Sequence, residues 1–298
     1  MKPAPLEYVA VDTVEEALQV LARHDGAARL LAGGQSLVPL LNMRLMRPAA
    51  VIDINRIADL DAVIVEPGTV RVGALARYST LESSPTVRER LPLLARAVPF
   101  VGDRQIRNRG TLGGALCHAD PAGEMALCAV TLDARLTVAG RGGTRHVTAD
   151  EFFVGPYTTA LEADEMLLGA SFPDGAGTVV ALAEHARRHG DFAVVSVAAV
   201  GLPGEGETWR WVRLGLGAVG DRPIHARRAS ALVSGTALDA DAIRDAARCC
   251  VEEADPSSDV RASAEYRRHL IPIYVERVLT VLRDRPRGEA ARTAGVPA

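Results

Sequence analysis

The sequence predicts an α+β fold in three parts: two small mixed units, then a C-terminal unit of antiparallel strands and helices. One observation is a pair of glycine turns, residues 32–36 and 111–114, the first of which ends a hydrophobic stretch. A second is the irregular alternation of helical and strand patterns around these turns. A third is that apolar runs at residues 194–200 and 211–216 flank a turn-rich segment, which favours an antiparallel pair.

The first unit, residues 1–56, is predicted to combine helices with short buried strands. Thr13 and Glu16 have the spacing of a capping box, and apolar residues follow at helical intervals until about Gly26. The first glycine turn then joins a strand to a helix with Pro39 in its first turn, where proline is tolerated. The predicted elements after the first helix are a strand at 29–31, a helix at 37–43 and a strand at 51–54.

The second unit, residues 57–177, ends in the clearest linker of the chain, residues 173–177. A polar segment, residues 104–110, leads into the second glycine turn, and apolar residues follow at 125–130. The other predicted elements are strands at 70–73 and 135–138 and helical material at 80–84 and 92–98.

The C-terminal unit, residues 178–285, adds two helices to the antiparallel strands. These helices are predicted at residues 240–253 and 264–282, the second of them interrupted by Pro272. The polar residues 286–298 are predicted to be a fraying tail.

The two glycine turns are the strongest functional signal. Glycine lets the backbone approach a ligand closely, and successive free N–H groups form an anion-binding concavity. Each turn also carries a hydroxyl side chain, Ser36 in the first and Thr111 in the second. Two such turns suggest two halves of one diphosphate cradle, although ordinary tight turns remain the alternative.

Composition narrows the function classes. The 298 residues are 48% hydrophobic and 24% charged, which is average for a globular protein, and the net charge of −3 does not favour nucleic acid or an anionic membrane as a partner. No apolar run has membrane-spanning length and no signal-peptide pattern is visible, so a cytoplasmic location is expected. The cysteines Cys117, Cys128, Cys249 and Cys250 lack metal-ligand spacing, and we expect buried small hydrophobes instead of an iron–sulfur or zinc site.

Several ordered motifs carry a family resemblance. The chain resembles the FAD-binding medium subunit of the molybdenum hydroxylases, the group that includes aerobic carbon monoxide dehydrogenase and the xanthine dehydrogenases. The resemblance covers nearly the whole chain. Its motifs are Ala32-Gly33-Gly34-Gln35-Ser36-Leu37-Val38-Pro39, Asp53-Ile54-Asn55, Val72-Gly73-Ala74-Leu75-Ala76-Arg77, Gln105-Ile106-Arg107-Asn108-Arg109-Gly110-Thr111-Leu112-Gly113-Gly114, Ala119-Asp120-Pro121, Arg187-Arg188-His189-Gly190-Asp191-Phe192-Ala193 and Glu265-Tyr266-Arg267.

The resemblance implies a two-subdomain FAD-binding fold of the vanillyl-alcohol-oxidase type, followed by a C-terminal antiparallel sheet with helices. It implies that both glycine turns hold the FAD diphosphate through backbone N–H groups, because a Cβ at any of their glycines would keep the backbone from the phosphate. On this expectation Gly113→Val abolishes flavin binding and leaves the fold intact. The family more often has His at the position of Gln35, and both side chains form hydrogen bonds.

The resemblance also assigns individual cofactor contacts. A carboxylate, Glu124 or alternatively Asp120, is implied to contact ribityl or adenosine hydroxyls, although Asp120 before Pro121 also suits an Asx turn. Phe192 is implied to lie near the isoalloxazine ring, with core packing as its alternative, and His185 near the flavin, with a half-exposed strand position as its alternative. The implied cofactor-binding residues are Ala32, Gly33, Gly34, Gln35, Ser36, Leu37, Thr111, Leu112, Gly113, Gly114, Ala115, Asp120, Glu124, Leu167, His185 and Phe192.

The implied function is electron transfer with FAD as cofactor. A large molybdenum-cofactor subunit and a small [2Fe–2S] subunit are the implied partners, in a heterohexamer of two heterotrimers. Electrons would pass from the iron–sulfur subunit through FAD to NAD, a quinone, a cytochrome or oxygen. A free-standing FAD-dependent oxidase or reductase of the same fold is the alternative, and a scaffold that has lost its flavin is a third possibility that the glycine turns disfavour.

Overall fold

The first part of the chain forms a three-stranded parallel sheet. The computed structural model describes residues 2–285. The strand order is β1-β3-β2, and Ala17, Leu21 and Ile52 lie in its core. The strand β1 was not predicted, because its side chains are exposed or half-buried and show no apolar alternation. The elements are β1 (Glu7–Ala10), α1 (Val14–Arg23), β2 (Ala28–Leu31), α2 (Leu37–Asn42) and β3 (Ala50–Asp53).

The predicted capping box is half formed. The Thr13 hydroxyl accepts a hydrogen bond of 3.1 Å from the Glu16 N–H, as the spacing predicts. The Glu16 carboxylate returns to the N–H of Asp12, at 2.9 Å, one residue before the expected partner. α1 therefore has both of its capping interactions and ends at Arg23, close to the predicted end.

The second part is built on a five-stranded antiparallel sheet in the order β4-β5-β10-β6-β7. Its core is shared by the sheet and several short helices, and Phe152 and Phe153 are fully buried there. The elements are β4 (Val63–Glu66), β5 (Thr69–Gly73), α3 (Tyr78–Ser83), α4 (Pro85–Arg90), α5 (Pro92–Ala97) with a 3₁₀ turn (Val98–Phe100), α6 (Arg104–Arg109), α7 (Leu112–His118), α8 (Glu124–Thr131), β6 (Arg135–Gly140), β7 (Gly143–Thr148), α9 (Ala149–Phe152), β8 (Phe153–Gly155), β9 (Thr158–Thr159) and β10 (Met166–Pro173).

The third part is a four-stranded antiparallel sheet in the order β11-β12-β13-β14, buried on both faces. On β11, Val180 and Leu182 join the core shared with the second part, whereas Ala181 and Ala183 face the C-terminal helices. The two faces alternate along the strand, as the pleat requires. The elements are β11 (Val179–His185), β12 (Val195–Pro203), β13 (Trp209–Gly217), β14 (Ile224–His225), α10 (Arg227–Val233), α11 (Ala240–Glu253) and α12 (Ala264–Asp284).

Pro272 lies inside α12 and does not end it, so the predicted interruption is wrong. Ile271 and Val275 on one face of α12 are fully buried although Ile273 is exposed, and the packing of that buried face offsets the one backbone hydrogen bond that proline removes. No helix among residues 2–285 is long and apolar enough to span a membrane. The tail predicted at residues 286–298 lies outside the described residues.

Candidate FAD-binding site

The first glycine turn lies between the end of β2 and the start of α2. Among residues 2–285, no protein acceptor receives a hydrogen bond from the backbone N–H groups of the five consecutive residues from Gly33 to Leu37. Gly34 has φ of +73°, the left-handed conformation that glycine adopts without strain. A left-handed residue in a run of free N–H groups is typical of anion-binding concavities. This turn therefore offers a ligand five backbone donors.

The two glycine segments meet in space. A Cβ on Gly33 would lie 2.3 Å from the carbonyl oxygen of Arg109 and 2.9 Å from the Cα of Gly110. A Cβ on Gly114 would lie 4.0 Å from the Cβ of Ala32. Gly33 is therefore required by contact with the backbone just before α7, and the structure brings together residues that are about eighty positions apart.

The second segment is the beginning of a helix and not a free turn. Thr111 is the N-cap of α7, and its hydroxyl accepts a hydrogen bond of 3.1 Å from the Gly114 N–H. The N–H groups of Leu112 and Gly113 donate to the carbonyls of Ala76 and Ala74, at 3.0 and 2.8 Å. The N–H groups of residues 112–114 therefore have acceptors within the protein, and of the four expected donors only the N–H of Thr111 has no protein acceptor among residues 2–285.

The reason for glycine at position 113 is also different from the expected one. A Cβ on Gly113 would lie 2.5 Å from the Cβ of Ala74 and 2.7 Å from its backbone. At Gly114 the nearest atom would be the capping hydroxyl of Thr111, at 2.8 Å. Both glycines are thus explained by packing and capping within the protein.

Asp120 forms the Asx turn that was its alternative interpretation. Its side chain is buried, and Oδ1 accepts a 2.9 Å hydrogen bond from the N–H of Ala122. The hydroxyl of Tyr157 donates to Oδ2 at 3.3 Å. Both carboxylate oxygens of Asp120 therefore have protein partners.

Glu124 is buried at the first position of α8, and among residues 2–285 its side chain forms no hydrogen bond with another residue. Burial, together with the nearby charge of Asp120, raises the pKa of its carboxyl to about 7. A buried carboxyl without a protein partner is costly unless a ligand or proton satisfies it. Of the two candidate carboxylates, Glu124 is the one that remains available to a cofactor hydroxyl.

Sequence reasoning missed Glu184, the residue before His185. It lies on β11 directly opposite Ser196, on the strand face that carries Leu182 into the shared core. Glu184 Oε2 and Ser196 Oγ are both buried without a hydrogen-bond partner in the described structure. Burial, together with the charge of Glu124, raises the pKa of Glu184 to about 8. The alternation of β11 was the available signal, but strand pattern alone does not show which face meets the FAD-binding part.

His185 points to the other face of β11. Its Nδ1 lies 3.2 Å from the Tyr274 hydroxyl and its Nε2 lies 3.3 Å from the Tyr266 hydroxyl, both on α12. Successive side chains of a strand point to opposite faces, so His185 faces the C-terminal helices while Glu184 faces the second part. His185 is therefore a partly buried strand residue with partners on α12, as its alternative interpretation has it, and its contact with the flavin stays a prediction.

Phe192 and Leu167 differ in accessibility. Phe192 is 42% exposed, and the Arg261 guanidinium carbon lies 4.7 Å from its ring centre, so core packing is not its role. Leu167 is buried on β10 in the same core as Leu112, and the expected cofactor contacts of these two residues stay predictions. Ala115 is partly buried on α7.

Cysteine and metal chemistry do not define the site. Cys128, Cys249 and Cys250 are buried as expected, whereas Cys117 on α7 is exposed, contrary to expectation. No group of three or more potential metal ligands occurs among residues 2–285. The groups that remain for a ligand are the five backbone donors, the Ser36 hydroxyl and the Glu124 carboxyl. These groups fit FAD, because a diphosphate only accepts hydrogen bonds and sugar hydroxyls can donate them.

The chain matches two protein-family models, which together cover most of its length. A model for the FAD binding domain in molybdopterin dehydrogenase matches residues 4–175, so the protein is an FAD-binding protein. A model for the CO dehydrogenase flavoprotein C-terminal domain matches residues 180–282. The chain belongs to the family of FAD-binding medium subunits of the molybdenum hydroxylases, which are oxidoreductases of several subunits, and this confirms the resemblance and the expected fold.

Relatives match over almost their full length. Subunit alpha of the 6-hydroxypseudooxynicotine dehydrogenase complex of Paenarthrobacter nicotinovorans is 37% identical over 96% of this chain and 97% of that relative. Carbon monoxide dehydrogenase from Hydrogenophaga pseudoflava has a chain that superposes with a TM-score of 0.91 at 37% identity, covering 94% of this chain and 98% of that one. Quinoline 2-oxidoreductase from Pseudomonas putida 86 superposes with a TM-score of 0.90 at 36% identity, covering 95% and 98%.

Proposed function

We propose that the turn of residues 32–36 binds the FAD diphosphate, and that the chain carries electrons from an iron–sulfur subunit to an external acceptor. The observation that supports this most is the run of five backbone N–H groups from Gly33 to Leu37 without a protein acceptor among the described residues. When bound, FAD supplies one- and two-electron chemistry, while the protein supplies position and electrostatics.

We assign the other contacts with FAD to groups that the protein leaves accessible or without a hydrogen-bond partner. The Glu124 carboxyl accepts hydrogen bonds from ribityl or adenosine hydroxyls, which its burial without another partner supports. Phe192 lies beside the isoalloxazine ring, and its exposed ring supports this role. Gln35 and Leu37 flank the diphosphate, and Ala115 and the Thr111 hydroxyl contribute from the helix side. Asp120 shapes the loop before Glu124 without being required as a ligand.

Ser36→Asp tests the diphosphate site, with Ser36→Asn as the matched control. Ser36 is exposed and caps nothing, so neither variant disturbs the core. We expect the added carboxylate to weaken FAD binding at least about tenfold, or about 1.4 kcal/mol, because two anions would share the same donors. The isosteric Asn variant retains most of the affinity. Flavin fluorescence quenching in apoprotein titrations measures both, and equal affinities of the two variants would place the diphosphate elsewhere.

The partners are a large molybdenum-cofactor subunit and a small [2Fe–2S] subunit, in a heterohexamer of two heterotrimers. The relatives support a complex, since one of them is named as a subunit of a dehydrogenase complex. Affinity purification from the native source followed by native mass spectrometry gives the subunits and their ratio. A flavoprotein that purifies alone and turns over its own substrate would favour the free-standing oxidase or reductase instead.

The substrate that the complex oxidises is bound by another subunit, and the electron acceptor has to be identified with the whole complex. The relatives are named for substrates as different as carbon monoxide and quinoline. NAD, a quinone, a cytochrome and oxygen are the acceptor classes to compare, by the rate at which each reoxidises the reduced complex under anaerobic conditions or in air.

The proposed units are residues 1–56 and 57–177 for FAD binding and 178–285 for the C-terminal unit. The gap between the two family models, residues 176–179, supports the second boundary. A cytoplasmic location is also proposed. The four free cysteines support it, because reducing compartments keep thiols unpaired. Cell fractionation tests this location.

A further inference from the structure

Two side chains tie the first glycine turn to the second segment. Asn55 lies just after β3, and its Nδ2 donates to the carbonyls of Ala32 and Leu31, at 2.9 and 3.2 Å. These carbonyls belong to the end of β2 and the first residue of the glycine turn. Asn55 therefore fixes the backbone immediately before the five free N–H groups.

Arg77 completes the connection from the second part of the chain. One of its guanidinium nitrogens donates to Oδ1 of Asn55, and the other donates to the carbonyl oxygen of Arg109. That carbonyl oxygen is the atom on which Gly33 rests. Arg77 also forms an isolated β-bridge with Thr111, the N-cap of α7. The guanidinium thus joins the support of the first turn to the segment that the turn contacts.

The connection is anchored by Asp53 and Tyr8. The Asp53 carboxylate accepts hydrogen bonds from the N–H and Nδ2 of Asn55, at 3.0 and 2.6 Å, and from the Tyr8 hydroxyl at 2.6 Å. Burial opposes its ionisation, but the hydrogen bonds from Tyr8 and Asn55 prevail and lower the pKa of Asp53. An ionised Asp53 near Arg77 holds Asn55 in the orientation that presents Nδ2 to the turn and Oδ1 to the guanidinium.

We infer that Asn55 and Arg77 are positioning residues, which hold residues 32–37 and 109–114 in the relative placement that FAD binding needs without touching FAD themselves. The inference rests on the proposed diphosphate site. Polar side chains that bridge two backbone segments with charge-assisted hydrogen bonds restrict their relative motion. Preorganised donors bind a ligand more tightly, because less ordering remains to be done on binding.

Arg77→Met tests this inference, and Arg90→Met is the matched control. Arg90 is a partly buried arginine of the same unit that pairs with Asp174 at 2.5 Å, away from both glycine segments. We expect Arg77→Met to raise the dissociation constant of FAD from the apoprotein at least tenfold, and Arg90→Met to leave it within a factor of two. Arg77→Lys, which keeps the charge but reaches only one of the two acceptors, is expected to fall between.

Two further readouts separate positioning from a general loss of stability. Hydrogen exchange of the apoprotein is expected to increase in residues 32–37 and 109–114 of Arg77→Met and to stay unchanged in β11 and β12. At saturating FAD, the visible circular dichroism of the bound flavin is expected to match the wild type. If Arg77→Met fails to fold, Asn55→Ser provides the same test, since it removes the donors to Ala32 and Leu31 without placing a second carboxylate against Asp53.

The outcomes distinguish this inference from the proposed function. Wild-type FAD affinity in Arg77→Met and Asn55→Ser, together with weakened binding in Ser36→Asp, would overturn the positioning role and leave the diphosphate site in place. Unchanged affinity in Ser36→Asp would overturn the site itself. Exchange that increases throughout the chain in Arg77→Met would also contradict the inference, because it would show general destabilisation.

Discussion

The two glycine segments look alike in sequence and do opposite things in the structure. In the first, the N–H groups from Gly33 to Leu37 have no protein acceptor among residues 2–285. In the second, the N–H groups of Leu112, Gly113 and Gly114 all have protein acceptors, and the Thr111 hydroxyl caps α7. The first segment therefore keeps its backbone donors available to a ligand, whereas residues 112–114 donate within the protein and lie next to the segment that Gly33 contacts.

Close packing against another part of the protein can require glycine at a position as much as contact with a ligand can. Gly113 packs against Ala74, and Gly33 packs against the Arg109 carbonyl. Of the glycines in the two segments, only Gly34 has a left-handed backbone. Its segment contains the five N–H groups that have no protein acceptor among residues 2–285. Substitutions in the second segment should therefore mainly change the stability of the apoprotein, and substitutions in the first should mainly change its affinity for FAD.

The largest expected effect is on folding, in Gly113→Val. The new side chain would overlap Ala74 in the core, so we expect the free energy of unfolding of the apoprotein to fall by roughly 3 kcal/mol. Chemical denaturation of the apoprotein measures this. A variant with wild-type stability and no flavin would restore the original expectation that Gly113 faces the phosphate.

A second effect concerns the carboxyl of Glu184, on the face of β11 that lies toward the second part of the chain, and it depends on pH. The pKa of Glu184 is raised to about 8 in the folded state, mainly by burial, so the folded protein binds a proton that the unfolded chain releases at lower pH. The free energy of unfolding of the wild type is therefore expected to decrease as pH rises from about 4.5 to about 8.

Glu184→Gln removes this pH dependence at nearly constant volume. Compared with the wild type, the variant is expected to have similar stability near pH 5 and to be more stable by at least roughly 1 kcal/mol at pH 9. Denaturation of the apoprotein across this pH range provides the measurement. Parallel curves for the two proteins would show that Glu184 is ionised in the folded state at all of these pH values.

The smallest expected effects come from removing the hydroxyls of Thr111 and Ser36, one in each glycine segment. Thr111→Ala removes a helix cap and is expected to cost about 1 kcal/mol of apoprotein stability. Ser36 caps nothing in α2, so Ser36→Ala is expected to leave apoprotein stability within about 0.5 kcal/mol and to weaken FAD binding several-fold. Thermal denaturation and FAD titration of both variants give the two quantities, and the reverse pattern would exchange the roles of the two segments.

Much of the fold was predictable because local patterns and tertiary packing agree. The Thr13 cap, the strand before the first turn and the antiparallel pair β12 and β13 all follow from spacing and apolar periodicity. The exceptions depend on distant contacts. β1 forms because β3 offers it a parallel partner, and α12 passes through Pro272 because one face of the helix is buried before and after the proline.

The class of cofactor could be predicted from the sequence, because the ordered motifs identify a family whose members bind FAD, and the place of the FAD diphosphate at the first glycine turn stays a prediction. Only the tertiary structure decided the role of each side chain. In the folded chain Thr111 caps α7, Asp120 forms an Asx turn, and Glu184, not His185, lies on the face of β11 toward the second part. Whether a polar group is free for a ligand depends on the acceptors that folding brings near it, and those acceptors are far away in the sequence.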